Sequence, residues 1–138
     1  MQKLLIDGKK ILSGNINISG SKNSTLPILA ATILNNHSRI ENIPFVKDIF
    51  TMLNLLKFIG LEYRILKKKN VVEVINRDKN INTVAPYKLV KTMRAGVLVL
   101  GPLLARYKKA KVSLPGGCAI GTRPVDLHLF ALKKLGAK

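Results

Sequence analysis

Tryptophan is absent from this 138-residue chain, cysteine occurs once, and only seven residues are acidic. The single cysteine, Cys118, excludes an internal disulfide. No apolar run approaches the roughly 20 residues that a membrane span requires. The first residues, MQKLLIDGKKIL, lack the apolar stretch of a secretory signal. Together these absences point to the cytosol. Aromatic residues make up 5%, so stacking platforms for nucleotide bases are scarce. Metal-ligand clusters, a Ser-His-Asp arrangement and a phosphate-binding P-loop are also missing. No cofactor is expected.

What is abundant is positive charge and aliphatic side chain. The formal net charge is +17 and 47% of the residues are hydrophobic, enough for the core of one domain. Such charge is the electrostatic footprint of a nucleic-acid binder. It is equally the product of a biased composition, because lysine travels here with abundant asparagine and isoleucine. The second reading is preferred, and nucleic acid is not expected as a partner. The LKKKN run at 66–70 reads as a solvated turn between two strands.

Helical and strand patterns alternate along the chain. Residues 11–20 alternate Ile16 and Ile18 with polar neighbours and predict a strand. Asn23 or Ser24 is a candidate cap for a helix through LPILAATIL, with Pro27 in its first turn. SRIENIP (38–44) is β-like. Residues 46–59 carry a helical stripe of Ile49, Met52, Leu53, Leu56 and Ile59, closed by Gly60. LEYRIL and VVEVIN then predict two strands. The second half repeats the order: an apolar helix at 97–105 expected to be buried on all sides, a short strand at 111–115, and an amphipathic helix at 123–136. Pro27 and Pro102, Asp48 and Asp126, and Gly60 and Gly136 lie 75, 78 and 76 residues apart. Near-constant offsets suggest a duplicated α-β-α-β unit.

Two stretches carry chemistry. In SGSKNS (19–24), a helix amino end with unpaired N–H groups and Lys22 would receive a phosphate or carboxylate. An ordinary capping turn with an exposed lysine explains the same residues. In SLPGGCAIGTRPVDLH (113–128), Cys118 sits among Gly116, Gly117 and Gly121, five residues before Arg123. Glycines let a loop move, and a nearby cation makes a thiol more reactive. A small buried cysteine in a turn fits equally well. His37 and His128 read as polar residues without a catalytic role.

Taken together, GSKNSTLPILAATIL, VAPYKLVKTMRAG and LGPLLARYKKAKVSLPGGCAIGTRPVDLHLFALKKLGA resemble the amino-terminal part of the enolpyruvyl (carboxyvinyl) transferase family, in its branch acting on UDP-N-acetylglucosamine. The resemblance runs colinearly over nearly the whole chain. It implies an inside-out α/β barrel of repeated units around buried helices, incomplete here. Residues 1–21 would belong with a second domain, and 22–138 would form part of the first, with its second repeat truncated. The activity implied is transfer of the enolpyruvyl group from phosphoenolpyruvate to the 3-hydroxyl of UDP-N-acetylglucosamine, the first committed step of peptidoglycan precursor synthesis.

The same resemblance assigns roles. Lys22, Asn23 and Arg123 would bind phosphoenolpyruvate. Arg94, Arg123, Pro124, Val125, Asp126 and Leu127 would bind UDP-N-acetylglucosamine. Cys118 would be the proton donor and the target of fosfomycin. Leu98, Ala119 and Thr122 depart mildly from the family pattern. The acidic residue that takes the hydroxyl proton lies in the family's remaining portion, so residues 1–138 alone are expected to be an inactive, marginally stable fragment. The related synthase acting on shikimate 3-phosphate is the alternative within the enzymes; a basic nucleic-acid-binding module is the alternative outside them.

Overall fold

The computed structural model describes residues 3–8, 11–91, 93–114 and 125–138. Helix α1 spans Lys22–Ala31 and runs into a 3-10 turn at Thr32–Leu34. Strand β1 (His37–Ile40), helix α2 (Lys47–Ile59), strand β2 (Glu62–Leu66) and strand β3 (Val71–Ile75) follow. Strand β4 (Val84–Ala85), the one-turn helix α3 (Tyr87–Val90) and a 3-10 segment at Arg94–Val99 lead into helix α4 (Leu100–Tyr107). Strand β5 (Lys111–Val112) and helix α5 (Asp126–Lys134) complete the described elements. The fold class is mixed α/β, with one sheet in the order β1-β3-β2, antiparallel throughout, and a second in which β4 and β5 pair in parallel.

Helix α2 forms because its stripe has helical spacing. All five predicted stripe residues are fully buried, and Leu55 joins them. Val46 flanks the helix as its N-cap. Gly60 ends it at φ +117°, a conformation that costs a side-chain-bearing residue energy. The Leu61 N–H reaches back to the Leu56 carbonyl at 3.0 Å. At the end of α5, Gly136 has φ +96° and the Ala137 N–H reaches the Leu132 carbonyl at 3.0 Å. The same closing device therefore follows both helices.

In the three-stranded sheet, Val72 and Val74 of β3 point into the core, where α1, α2 and the residues around Val90, Val99 and Leu103 converge. Glu73 points to the other face and pairs with Arg39 of β1 at 2.9 Å. The lysine turn stands between β2 and β3 as Lys67–Lys69, with Asn70 at φ +51° closing it.

Several expectations need correction. The cap of α1 is Ser21, whose Oγ accepts from the Ser24 N–H at 3.4 Å. Pro27 consequently falls in the second turn, where it has no N–H to donate to the Asn23 carbonyl. Residues 11–20 form no strand, and Ile16 and Ile18 are 84% and 78% exposed. Alternation marks a segment able to pair, but no strand among the described residues pairs with it. The helix predicted at 97–105 begins at Leu100, after 3-10 turns, and its burial is one-sided: Val99 and Leu103 are buried while Leu98, Leu100 and Leu104 are only partly covered. Helix α5 buries no residue, leaving Leu127 and Phe130 exposed. In the predicted strand 111–115, pairing covers Lys111–Val112.

A polar cluster ties α4 to the first sheet. Asn76, 3% exposed, donates from its side-chain amide to the Ile33 carbonyl at 3.1 Å and to the Tyr107 hydroxyl at 2.7 Å. Tyr107 donates onward to Asp78 Oδ1 at 2.8 Å. Arg106 binds Asp78, Asn36 and the Ile33 carbonyl. The Arg106 and Tyr107 hydrogen bonds hold the Asp78 carboxyl below its usual range, while burial pushes the Tyr107 hydroxyl up.

Replacing Asn76 with alanine removes both donors from a buried site, and a loss of about 1–3 kcal/mol is expected in urea unfolding. A change under about 0.5 kcal/mol would mean that water replaces the amide without cost. Because the folded state lowers the Asp78 value, its contribution is present above the ordinary carboxylate range. It is lost as pH falls through the lowered value. The acid limb of a stability–pH profile should therefore flatten in Asp78→Asn; an unchanged limb counts against the linkage.

Candidate active site

The segment before α1 is held by close backbone packing. The Gly20 N–H donates to Asn42 Oδ1 at 3.0 Å, and the Asn42 amide reaches the Ile18 carbonyl at 3.4 Å. A β-carbon on Gly20 would stand 1.7 Å from the Asn42 carbonyl oxygen, so only glycine fits. Asn42 itself has φ +55°, in the left-handed region that asparagine tolerates better than most residues. This clasp fixes Ser21, whose backbone carbonyl accepts from the Thr25 N–H at 2.9 Å and the Thr25 hydroxyl at 2.8 Å.

Lys22 and Asn23 are thus the first two residues of α1, both exposed. Their N–H groups are among those that a helix leaves without intrahelical acceptors, and the first turn contains no acidic residue. The Lys22 ammonium lies 2.9 Å from Asp48 Oδ2. Asp48 occupies the first turn of α2, where negative charge is favoured by the helix dipole. The packing of α1 on α2 brings the two amino ends together. An anion arriving at α1 would meet two free N–H directions and an ammonium already engaged on one side.

Arg94 opens the 3-10 segment Arg94–Val99, which packs against α1 and α2, and is half-buried. Val125 flanks α5 as its N-cap, and Asp126 and Leu127 are exposed in its first turn. Among the described residues, Asp126 makes no ion pair. Cys118, Arg123 and Pro124 lie outside the described residues. Helix α1, which begins with Lys22 and Asn23, packs against the 3-10 segment that carries Arg94.

Sequence reasoning missed two residues here. Asp48 counted only as a repeat landmark, although its place in the first turn of an expected helix was a usable signal. Asn42 carried no signal at all, because its role depends on a backbone approach from 22 residues away. A separate apolar cavity of about 240 Å³ lies between Val97, Leu98, Leu100 and Gly101 on one side and His128, Ala131 and Leu132 on the other. Among the described residues, none of the predicted site residues lines it. No described helix is long and apolar enough to cross a membrane, and no cluster of potential metal ligands occurs among the described residues.

The chain belongs to the EPSP synthase (3-phosphoshikimate 1-carboxyvinyltransferase) family, whose model matches residues 6–138. This is a family of enzymes. More particularly, the chain is 59% identical over 139 residues to UDP-N-acetylglucosamine 1-carboxyvinyltransferase of Pelagibacter ubique (strain HTCC1062), covering 100% of this chain and 33% of that protein. It is 54% identical to the proteins of the same name from Rickettsia bellii (strain OSU 85-389) and Rickettsia prowazekii (strain Madrid E), with the same coverage. The chain therefore spans about a third of the length of these relatives. The crystal structure of the enolpyruvyl transferase NikO from Streptomyces tendae shares the fold, with a TM-score of 0.59 at 23% identity over 69% of this chain and 22% of that one.

The clasp at Gly20 makes a sharp test of how the amino end of α1 is held. Gly20→Ala is expected to destabilise the chain by about 1–3 kcal/mol and to speed amide hydrogen exchange at Ser24 and Thr25. Gly101→Ala, where a β-carbon meets nothing within 4 Å, should be neutral or stabilise α4 by up to about 1 kcal/mol. Equal effects of the two substitutions would show that the Asn42 contact is unimportant.

Proposed function

We propose that this chain contributes one wall of the active site of an enzyme that transfers the enolpyruvyl group of phosphoenolpyruvate to the 3-hydroxyl of UDP-N-acetylglucosamine, releasing phosphate. The observation that carries this is the 59% identity, over the full chain, with a protein bearing the name of that activity. The geometry of α1 agrees with it. A phosphoenolpyruvate anion at Lys22 and Asn23 would gain the helix N–H groups and the ammonium together. Arg123 would neutralise further charge, while Arg94, Arg123 and the Pro124–Leu127 segment would bind the nucleotide sugar.

In the chemistry so assigned, the sugar hydroxyl gives its proton to an acidic residue supplied by the rest of the enzyme and adds to C2 of phosphoenolpyruvate, while C3 gains a proton from the Cys118 thiol. Phosphate then leaves C2 of the tetrahedral intermediate as C3 gives up a proton, and the enol ether double bond is restored. Cations around the phosphate and carboxylate stabilise the charge that develops. The glycines around Cys118 would let its loop close over the intermediate and exclude water. Residues 22–138 would belong to one domain with two repeated units. Residues 1–21 would pack with another, in keeping with the exposure of Leu4, Leu5, Ile11 and Leu12. The enzyme would work in the cytoplasm on peptidoglycan precursors, without cofactor, membrane or nucleic-acid partner.

The test is product analysis by mass spectrometry with the whole protein, phosphoenolpyruvate and either UDP-N-acetylglucosamine or shikimate 3-phosphate as acceptor. Enolpyruvyl-UDP-N-acetylglucosamine with stoichiometric phosphate is expected. Turnover confined to shikimate 3-phosphate would overturn the assignment. Cys118→Ala should lower turnover by about 10²–10⁴-fold, the usual worth of a positioned general acid. Cys118→Asp should retain part of the activity and resist fosfomycin, since a carboxyl donates a proton but opens an epoxide poorly. Normal turnover in the alanine variant excludes Cys118 as the donor.

A further inference from the structure

We propose that Asp48 is an intramolecular competitor for Lys22: a carboxylate that holds the ammonium when no anion is bound and hastens departure of the product phosphate by taking the ammonium back. The proposal rests on the assignment of Lys22 as a phosphoenolpyruvate ligand. It adds a positioning residue to that site, one that touches Lys22 and not the reacting atoms.

The geometry sets up the competition. Lys22 Nζ lies 2.9 Å from Asp48 Oδ2, and Asp48 reaches it from the first turn of a different helix, so the pair bridges two elements and parts only when the lysine side chain turns away. The lysine has four rotatable carbons and three donors, and can serve a carboxylate and a phosphate in turn. Both side chains are partly open, at 47% and 34% exposure, so an incoming anion can reach the ammonium. An ion pair this exposed is worth at most about 1 kcal/mol, small enough for a phosphate dianion to break.

Two effects of Asp48 on anion binding oppose each other. By ordering the lysine it reduces the entropy lost on binding, which favours the anion. By occupying one side of the ammonium, and by like-charge repulsion across a few ångströms, it disfavours the anion. The ordering gain is bounded by the weak pair itself, whereas the repulsion acts in addition to the competition. Competition therefore wins, and removing the carboxylate tightens anion binding.

The experiment measures the competitive inhibition constant of inorganic phosphate, and its direct binding by calorimetry, on the whole protein. Asp48→Asn is expected to bind phosphate about two- to fivefold more tightly, the range set by an exposed pair. Asp48→Glu should return to within about twofold of the parent, since the carboxylate is restored. In a Lys22→Ala background the Asp48→Asn effect should shrink to the part that like-charge repulsion supplies; an undiminished effect would mean that Asp48 does not act through Lys22 and would overturn the proposal. A merely structural role for Asp48 predicts weaker binding, so weaker or unchanged phosphate affinity in Asp48→Asn overturns the proposal. If Lys22→Ala alone leaves phosphate affinity unchanged, the assignment of Lys22 as an anion ligand fails instead. Equal melting temperatures across the variants exclude misfolding as the source of either result.

Discussion

Helix α2 has to bury a stripe too wide for any single neighbour. Ile49, Met52, Leu53, Leu55, Leu56 and Ile59 are all inaccessible to solvent, and together they span about 160° of a helix with 100° between residues, wider than the usual apolar stripe of about 100°. The helix therefore lies against α1, β2, α3, β4 and the Arg94–Val99 turn at once. Each of those elements is short, and none could bury its own apolar face alone. At about 1.5–3 kcal/mol for each large aliphatic side chain removed from water, α2 is the surface on which the others condense. The same packing sets α1 beside it and brings Lys22 within reach of Asp48. The candidate site is thus a by-product of core burial, built where two helix amino ends emerge from one apolar cluster.

Charge plays a different part. Five of the seven acidic residues engage a basic side chain. Four of these pairs join residues at least 15 apart in sequence: Lys22 to Asp48, Arg39 to Glu73, Arg77 to Glu62, and Arg106 to Asp78. Most are open to solvent and add little stability individually. Their use is orientation. The Arg106–Asp78 pair is the exception, because it belongs to a network that also satisfies Asn76 and the Ile33 carbonyl. There the partners support one another, and no buried side-chain donor or acceptor among the described residues is left unpaired.

Repetition extends beyond sequence offsets. Gly60 and Gly136 both adopt positive φ, and in both places the next N–H reaches a carbonyl five residues back. Asp48 and Asp126 both stand in the first turn of the helix so closed. The two helices differ in environment: α2 is enclosed, whereas α5 leaves its apolar side chains in water. Equivalent local signals thus produce equivalent local geometry, while burial depends on which neighbours are at hand.

The sequence by itself determined the elements whose signals are local. The stripe of α2, its glycine stop, the lysine turn between β2 and β3, and the position of Lys22 at a helix amino end all follow from spacing and from residues a few places apart. The family was legible too, because its motifs are contiguous. Tertiary structure alone decided three other matters. Residues 11–20 have the alternation of a strand, yet a strand exists only where a partner supplies the ladder. The α1 cap moved to Ser21 because Asn42, distant in sequence, grips the backbone at Gly20. Asp48 became the partner of Lys22 only when α1 and α2 packed. The division has one physical cause: turn chemistry and helical periodicity act over a few residues, whereas strand pairing, close backbone approach and ion pairing between helices require segments that only a folded core brings together.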